Sequence, residues 1–138
     1  MENQNTDNFN EVLRERALTM AVKVHDLFQS KKICLLDRSM VHQIIRSSSS
    51  VAANTRAATR ARSDAEFYAK ICIVVEECDE TQFWFDFLIR TGVLTGAETE
   101  GLRNEVEQLV KMFTSIKKKM KDKINAKSQN PKSQMAKW

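Results

Sequence analysis

The sequence predicts an all-α protein, an antiparallel up-and-down four-helix bundle. Its 138 residues include three glycines and a single proline, Pro131, which leaves few of the boundaries that strands and their turns require. Apolar residues instead recur at three- and four-residue steps through four segments joined by short connections, the pattern of amphipathic helices packed on one another. A chain of this length builds one core rather than two. The reading divides it into a disordered N-terminus (1–7), a bundle domain (8–125) and a basic, disordered tail (126–138). The four helices are expected at about 8–30, 38–61, 64–91 and 97–124.

In the first segment Phe9, Leu13, Ala17, Met20, Val24 and Leu27 form one apolar face before KKICLL breaks the pattern. Either Asp37 or Ser39 has the short polar side chain that caps the start of the second helix. The third opens on a capping box, Ser63-Asp64-Ala65-Glu66, with Asp64 favoured by the positive end of the helix dipole. Its core stripe is Phe67, Ile71, Val74, Cys78, Thr81, Phe85 and Leu88, and Gly92 supplies the stop. A second box, Thr95-Gly96-Ala97-Glu98, starts the fourth helix, which continues through Leu102, Val106, Leu109, Phe113, Ile116 and Met120.

The stretch RSSSSVAANTRAATRAR (46–62) resembles a flexible linker, yet its residues are sorted as on a helix. Met40, Ile44, Ser48, Val51, Thr55 and Ala58 form a core stripe. Beside it runs a stripe of small residues: Ser47, Ser50, Asn54, Ala57 and Ala61. Arg46, Ser49, Ala53, Arg56 and Arg60 fall opposite the core. Four consecutive serines cost about 2 kcal/mol against alanine in helix propensity, which packing must offset. The small stripe therefore predicts a close helix contact, within the bundle or between subunits. Asn54 on that stripe either fixes register through a buried hydrogen bond or bonds to water.

The net charge of +4 is unevenly distributed. Residues 1–110 carry 13 Lys/Arg against 17 Asp/Glu, whereas 111–138 carry nine against one. The basic end is read either as a solvated tail or as an arm for nucleic acid. Cys34, Cys72 and Cys78 form no CxxC pair and read as free thiols in a reducing compartment. His25 and His42 complete no zinc spacing. There is no glycine-rich phosphate loop or G-x-S-x-G elbow, and no histidine after His42 to build a di-iron bundle site. The acidic group Glu76, Glu77, Asp79 and Glu80 reads as a solvated face or as partners for Lys/Arg. The expectation is a non-enzymatic cytoplasmic protein with no cofactor, metal, small-molecule substrate or membrane span.

Several short motifs, in order, resemble a known family. Gln43-Ile44-Ile45-Arg46-Ser47, Ser50-Val51-Ala52-Ala53-Asn54 and Ser63 with Glu66-Phe67 are similar to its signature "Q-x-x-R-S-x-x-S-[IV]-x-x-N … S-x-x-[ED]-F". Glu80-Thr81-Gln82-Phe83-Trp84 and Gly92-Val93-Leu94 resemble its "E-T-x-[FY]-W … G-[YV]-L". The family comprises small bacterial four-helix bundle proteins encoded by intervening sequences of 23S rRNA genes, with the accessory variability determinants of diversity-generating retroelements. The similarity spans about residues 9–122. One departure is visible: the family's "N-I-x-E" reads Asn54-Thr55-Arg56-Ala57-Ala58 here, without the carboxylate. The resemblance implies a homo-oligomer, a pentameric ring, and basic surfaces that bind RNA or DNA and a reverse transcriptase.

Nucleic-acid binding leads the functional reading. Its candidate residues are Arg46, Arg56, Arg60 and Arg62 on the second helix and just beyond, with Lys111, Lys117, Lys118, Lys119, Lys121 and Lys123 on the fourth. The competing class is a scaffold that docks a protein partner without touching nucleic acid. Phe83, Trp84, Phe85 and Phe87 cannot all face one core, so Phe83, Trp84 and Phe87 join Ser47, Ser50, Asn54 and Ala57 as candidate contact residues.

Overall fold

The computed structural model describes residues 3–129. It consists of four helices: α1 (Asn3–Gln29), α2 (Arg38–Thr59), α3 (Asp64–Arg90) and α4 (Ala97–Ser128). The described residues include no strand. α1 starts ahead of the expected residue 8, because Asn3–Asn8 contain neither Gly nor Pro to stop a helix propagating outward from its packed part. α4 likewise runs beyond residue 124, carried by lysines, which are good helix formers. Of the expected disordered tail (126–138), residues 126–128 belong to α4, and 130–138 lie outside the described residues.

Each helix packs on its neighbours in chain order, and α1 meets α4 along a shorter seam that closes the circuit. Cross-helix contacts establish the directions. Arg14 reaches Thr59 while Phe28 lies near Val41. Ser47 meets Thr81, Asp86 meets Arg103, and Asp64 meets Lys127. Neighbours are therefore antiparallel, and α2 and α4 bring their C-termini to the same end.

The core draws on all four helices: Leu13, Met20 and Val24 of α1, Ile44 and Val51 of α2, Ile71, Val74, Phe85 and Leu88 of α3, and Val106, Leu109 and Phe113 of α4. The expected stripes hold except near the bundle ends. Phe9 is 49% exposed, and Met40, Phe67, Ile116 and Met120 are half-buried. Toward the end formed by Phe9, Phe67, Ile116 and Met120, no further layer of the described fold covers these side chains.

The expected local signals act at both ends of α3 but not at the starts of α2 and α4. Ser63 Oγ accepts the Glu66 N–H at 3.1 Å, one half of the capping box, while the Glu66 carboxylate accepts the Arg62 N–H (3.4 Å) rather than that of Ser63. Gly92 (φ 80°) takes the left-handed conformation after α3, and the following turn buries Leu94 completely. Asp37 precedes α2, but its carboxylate accepts from the Cys34 thiol instead of a helix N–H. The second expected box does not form: Gly96, at φ 97°, occupies the cap position, and Thr95 instead receives the Thr99 hydroxyl at its carbonyl.

Residues 46–59 are continuous helix. Ser47, at the head of the small-residue stripe, meets α3 inside the bundle, while Ser50, Asn54 and Ala57 are half-buried. Ser47 is fully buried, donates to Ile44 O (3.3 Å) and lies 2.9 Å from the Thr81 hydroxyl. Ser48 and Thr55 return their hydroxyls to Ile45 O and Val51 O, which leaves no buried O–H unpaired. Asn54 donates to Ser50 O and Ser50 Oγ on its own helix, so it makes no register bond across to a neighbour. Replacing Ser47 by leucine overpacks this contact and should lower stability by about 1–3 kcal/mol. Ser49→Ala, at an exposed site of the same run, should stay within about 0.5 kcal/mol. Urea midpoints of the two variants test the comparison.

Candidate nucleic-acid interface

The candidate cations divide by position. Arg46 lies in the middle of α2 and is held against α3, with Nη2 2.6 Å from Glu80 Oε2 and Nη1 3.2 Å from Glu77 Oε2. The Arg46 hydrogen bond, helped by the Trp84 indole N–H, keeps the Glu80 carboxyl below its usual range. Glu77 Oε2 is buried with no hydrogen bond of good geometry, so the Arg46 charge is what compensates it. The acidic group thus serves partly as ion-pair partner, and Arg46, though 49% of its side chain is exposed, is already paired with two carboxylates.

Arg56 and Arg60 emerge on the outer face of α2, and Arg62 follows with a side chain that is 90% exposed beside Glu66. On α4, Lys118, Lys119, Lys121 and Lys123 are exposed and Lys117 is half-buried. Since α2 and α4 are parallel, these two groups lie toward the same end of the bundle, Arg56 and Arg60 along the α1/α2 face and Arg62 beside Lys119 and Lys123 at a separate cleft. Lys123 and Lys127 both pair with Asp64, whose carboxyl is held below its usual range by the Lys127 hydrogen bond and then by Lys123. Among the described residues Arg56, Arg60, Lys117, Lys118, Lys119 and Lys121 take part in no ion pair. Lys111 lies farther along α4 at 4.0 Å from Glu107, apart from this end.

Trp84 is half-buried and stacks edge-on between Phe83 (4.9 Å) and Phe87 (5.6 Å), while Phe85 enters the core. Phe83 remains 55% exposed. A groove between α1 and α2, of about 730 Å³, was not foreseen from the sequence. Its apolar surface comes from Leu18, Val22, Ile45 and Ala52, and Arg14, Arg56 and Arg60 lie along it. Leu18 and Val22 are 53% and 49% exposed. The available signal was that both are apolar residues off the core stripe of α1.

The cysteines have different surroundings. Burial pushes the Cys78 thiol up to about 12, assisted by the charges of Asp79 and Glu105, and its Sγ–H faces Val106 O. Cys34 is exposed and Cys72 is half-buried. Among the described residues no three His, Cys, Asp or Glu side chains are grouped to hold a metal ion. No described helix is long and apolar enough to cross a membrane.

Comparison with known proteins adds to this geometry. The family model for the 23S rRNA-intervening sequence protein matches residues 10–115. The chain belongs to that family. The crystal structure of a protein of unknown function from the S23 ribosomal protein family of Bacteroides thetaiotaomicron VPI-5482 is also similar. It is 33% identical with a TM-score of 0.67, over 79% of this chain and 97% of that one. No curated protein matches the sequence. The family match takes in Arg56, Arg60, Arg62 and Lys111, whereas Lys117–Lys123 lie beyond it.

Arg46→Ala should lower stability by about 1–2 kcal/mol, because it strands the buried Glu77 oxygen, while Arg56→Ala and Arg60→Ala change little. Glu80 has a depressed carboxyl, so its pairing with Arg46 stabilises the fold fully above about pH 4.3 and fades as pH falls through the lower folded value. The gap between parent and Arg46→Ala should therefore narrow in acid, as read from urea midpoints across pH.

Proposed function

We propose that the chain is a non-enzymatic protein that binds structured RNA or DNA through the basic end of the bundle, and that it does so as a homo-oligomer. The observation that carries this reading is the placement of Arg56, Arg60 and Arg62 toward the same end of the bundle as Lys117–Lys121, most of them without an ion-pair partner among the described residues. Neutralising these charges inside the protein would have been the cheaper arrangement, as Arg46 illustrates with Glu77 and Glu80. Contacts from such residues go mainly to phosphate and carry little sequence information. The family's description, a 23S rRNA-intervening sequence protein, is compatible with an RNA-related role.

Two exposed apolar surfaces support self-association. One is the α1/α2 groove at Leu18 and Val22; the other is the Phe83 and Phe87 side of α3. They differ from one another, which favours a head-to-tail contact of the kind that closes into rings, the pentameric form the resemblance implies. Repeating the basic end in each copy multiplies weak phosphate contacts through avidity. The same groove also favours a second reading, a scaffold for a protein partner such as a reverse transcriptase.

Affinity for structured RNA or duplex DNA should fall linearly as log affinity against log salt, with a slope of about −0.7 to −0.9 per phosphate contacted. Arg60→Glu with Lys118→Glu and Lys121→Glu should abolish binding at low salt without loss of helicity. Retention of parent affinity by that variant overturns the basic-end reading, and absence of binding by the parent leaves the scaffold. Separately, Leu18→Glu with Val22→Glu should convert the parent assembly to a folded monomer in light scattering. An unchanged mass excludes the groove as the contact.

A further inference from the structure

The basic end carries a second feature that phosphate binding does not use. A cleft of about 580 Å³ opens there between the first turns of α1, the α2–α3 turn and the last turns of α4. Its apolar walls are Phe9, Phe67, Ile116 and Met120. Phe9 is half exposed, and the other three are half-buried, although a core position at this spacing would hide all four. Arg62, Lys119 and Lys123 stand at its rim. Asn10 and Thr6 add an amide and a hydroxyl to the lining. The one carboxylate in the lining, Asp64, is already paired with Lys123 and Lys127. The N-terminus of α3 is likewise occupied, since Ser63 Oγ takes the Glu66 N–H.

We infer that this cleft receives an unpaired nucleobase, with Phe9 as its stacking platform and Lys119 and Arg62 on the flanking phosphates. An apolar slot alone would suit any apolar side chain. A slot with an accessible aromatic ring, ringed by cations and edged by an amide, matches a flat ring carried on a polyanion. The stacked base gains from every aromatic face irrespective of sequence, and the amide and hydroxyl supply partners for its polar edge. The inference rests on the basic-end reading and refines it: the preferred ligand is single-stranded or contains a bulged or looped base, rather than a fully paired duplex.

The test compares three probes on the full chain by fluorescence anisotropy: a short oligoadenylate, an abasic strand of the same length, and a duplex of the same length. The oligoadenylate should bind about fivefold to a hundredfold more tightly than the abasic strand. Phe9→Ala should erase that advantage while leaving abasic and duplex binding unchanged, and Phe9→Tyr should keep it. Circular dichroism of both variants controls for folding. Equal affinity of the parent for oligoadenylate and abasic strand overturns the inference and leaves the basic-end reading intact. An unchanged preference in Phe9→Ala overturns it also. Binding to none of the probes removes both readings. Loss of self-association in Phe9→Ala with unchanged oligoadenylate binding would assign the cleft to a second copy and overturn the inference.

Discussion

Small side chains let α2 lie close along α3, and most other features of the molecule follow from that contact. The serine and threonine hydroxyls that make the surface small also answer to backbone carbonyls of their own helices, so burying them leaves no polar group stranded. The contact uses one side of α2 for α3 and the core, and leaves Ser49, Ala53, Arg56 and Arg60 pointing outward. A bulkier surface on α2 would push α3 away and cost the cross-helix pair between Arg46 and Glu80. Packing and the placement of charge are therefore one problem here, solved by the same run of residues.

The up-and-down order then sorts the charge along the bundle axis. Antiparallel neighbours make α2 and α4 parallel, so residues about sixty positions apart in sequence arrive at one end. The resulting field is the sum of two modest clusters, each of which alone resembles an ordinary solvated helix terminus. Basic residues near helix C-termini also complement the helix dipoles, so part of this arrangement stabilises the fold regardless of any ligand. What dipole complementarity does not account for is the number of such residues left unpaired on α4, or the apolar cleft between them.

Most of the fold was legible because its signals are local and periodic. The core stripe of α3 from Ile71 to Leu88 and the three-way sorting of residues 46–60 need only helical geometry to be read. The capping box at Ser63 is equally local, whereas Thr95 presents the same letters and fails because Gly96 turns the chain at φ 97° before the helix begins. The site was less legible. Arg46, Arg56 and Arg60 share one helical face in sequence, but Glu77 and Glu80 claim only the first, a choice fixed by the α2–α3 register. The α1/α2 groove depends on which flank of α1 is left uncovered, and the exposure of Phe9 on where the bundle ends. Neither is a property of a single helix.

The short seam between α1 and α4 gives the bundle an unequal mechanical character. Besides the shared core, the side-chain polar link from α1 to α4 among the described residues is Arg16, which reaches Glu105 and the Met112 sulfur. Its other flank rests on α2, so α1 is bonded strongly on one side and weakly on the other. In a hierarchy of local openings, the α2–α3 pair forms the most resistant unit and the outer rim of α1 the least. Phe9, Leu18 and Val22 all belong to that helix, so the cleft at the basic end and the α1/α2 groove share α1 as a wall. Were the proposed base and the proposed second copy both to bind, each would hold α1 in place for the other and so couple the two events by rigidity alone.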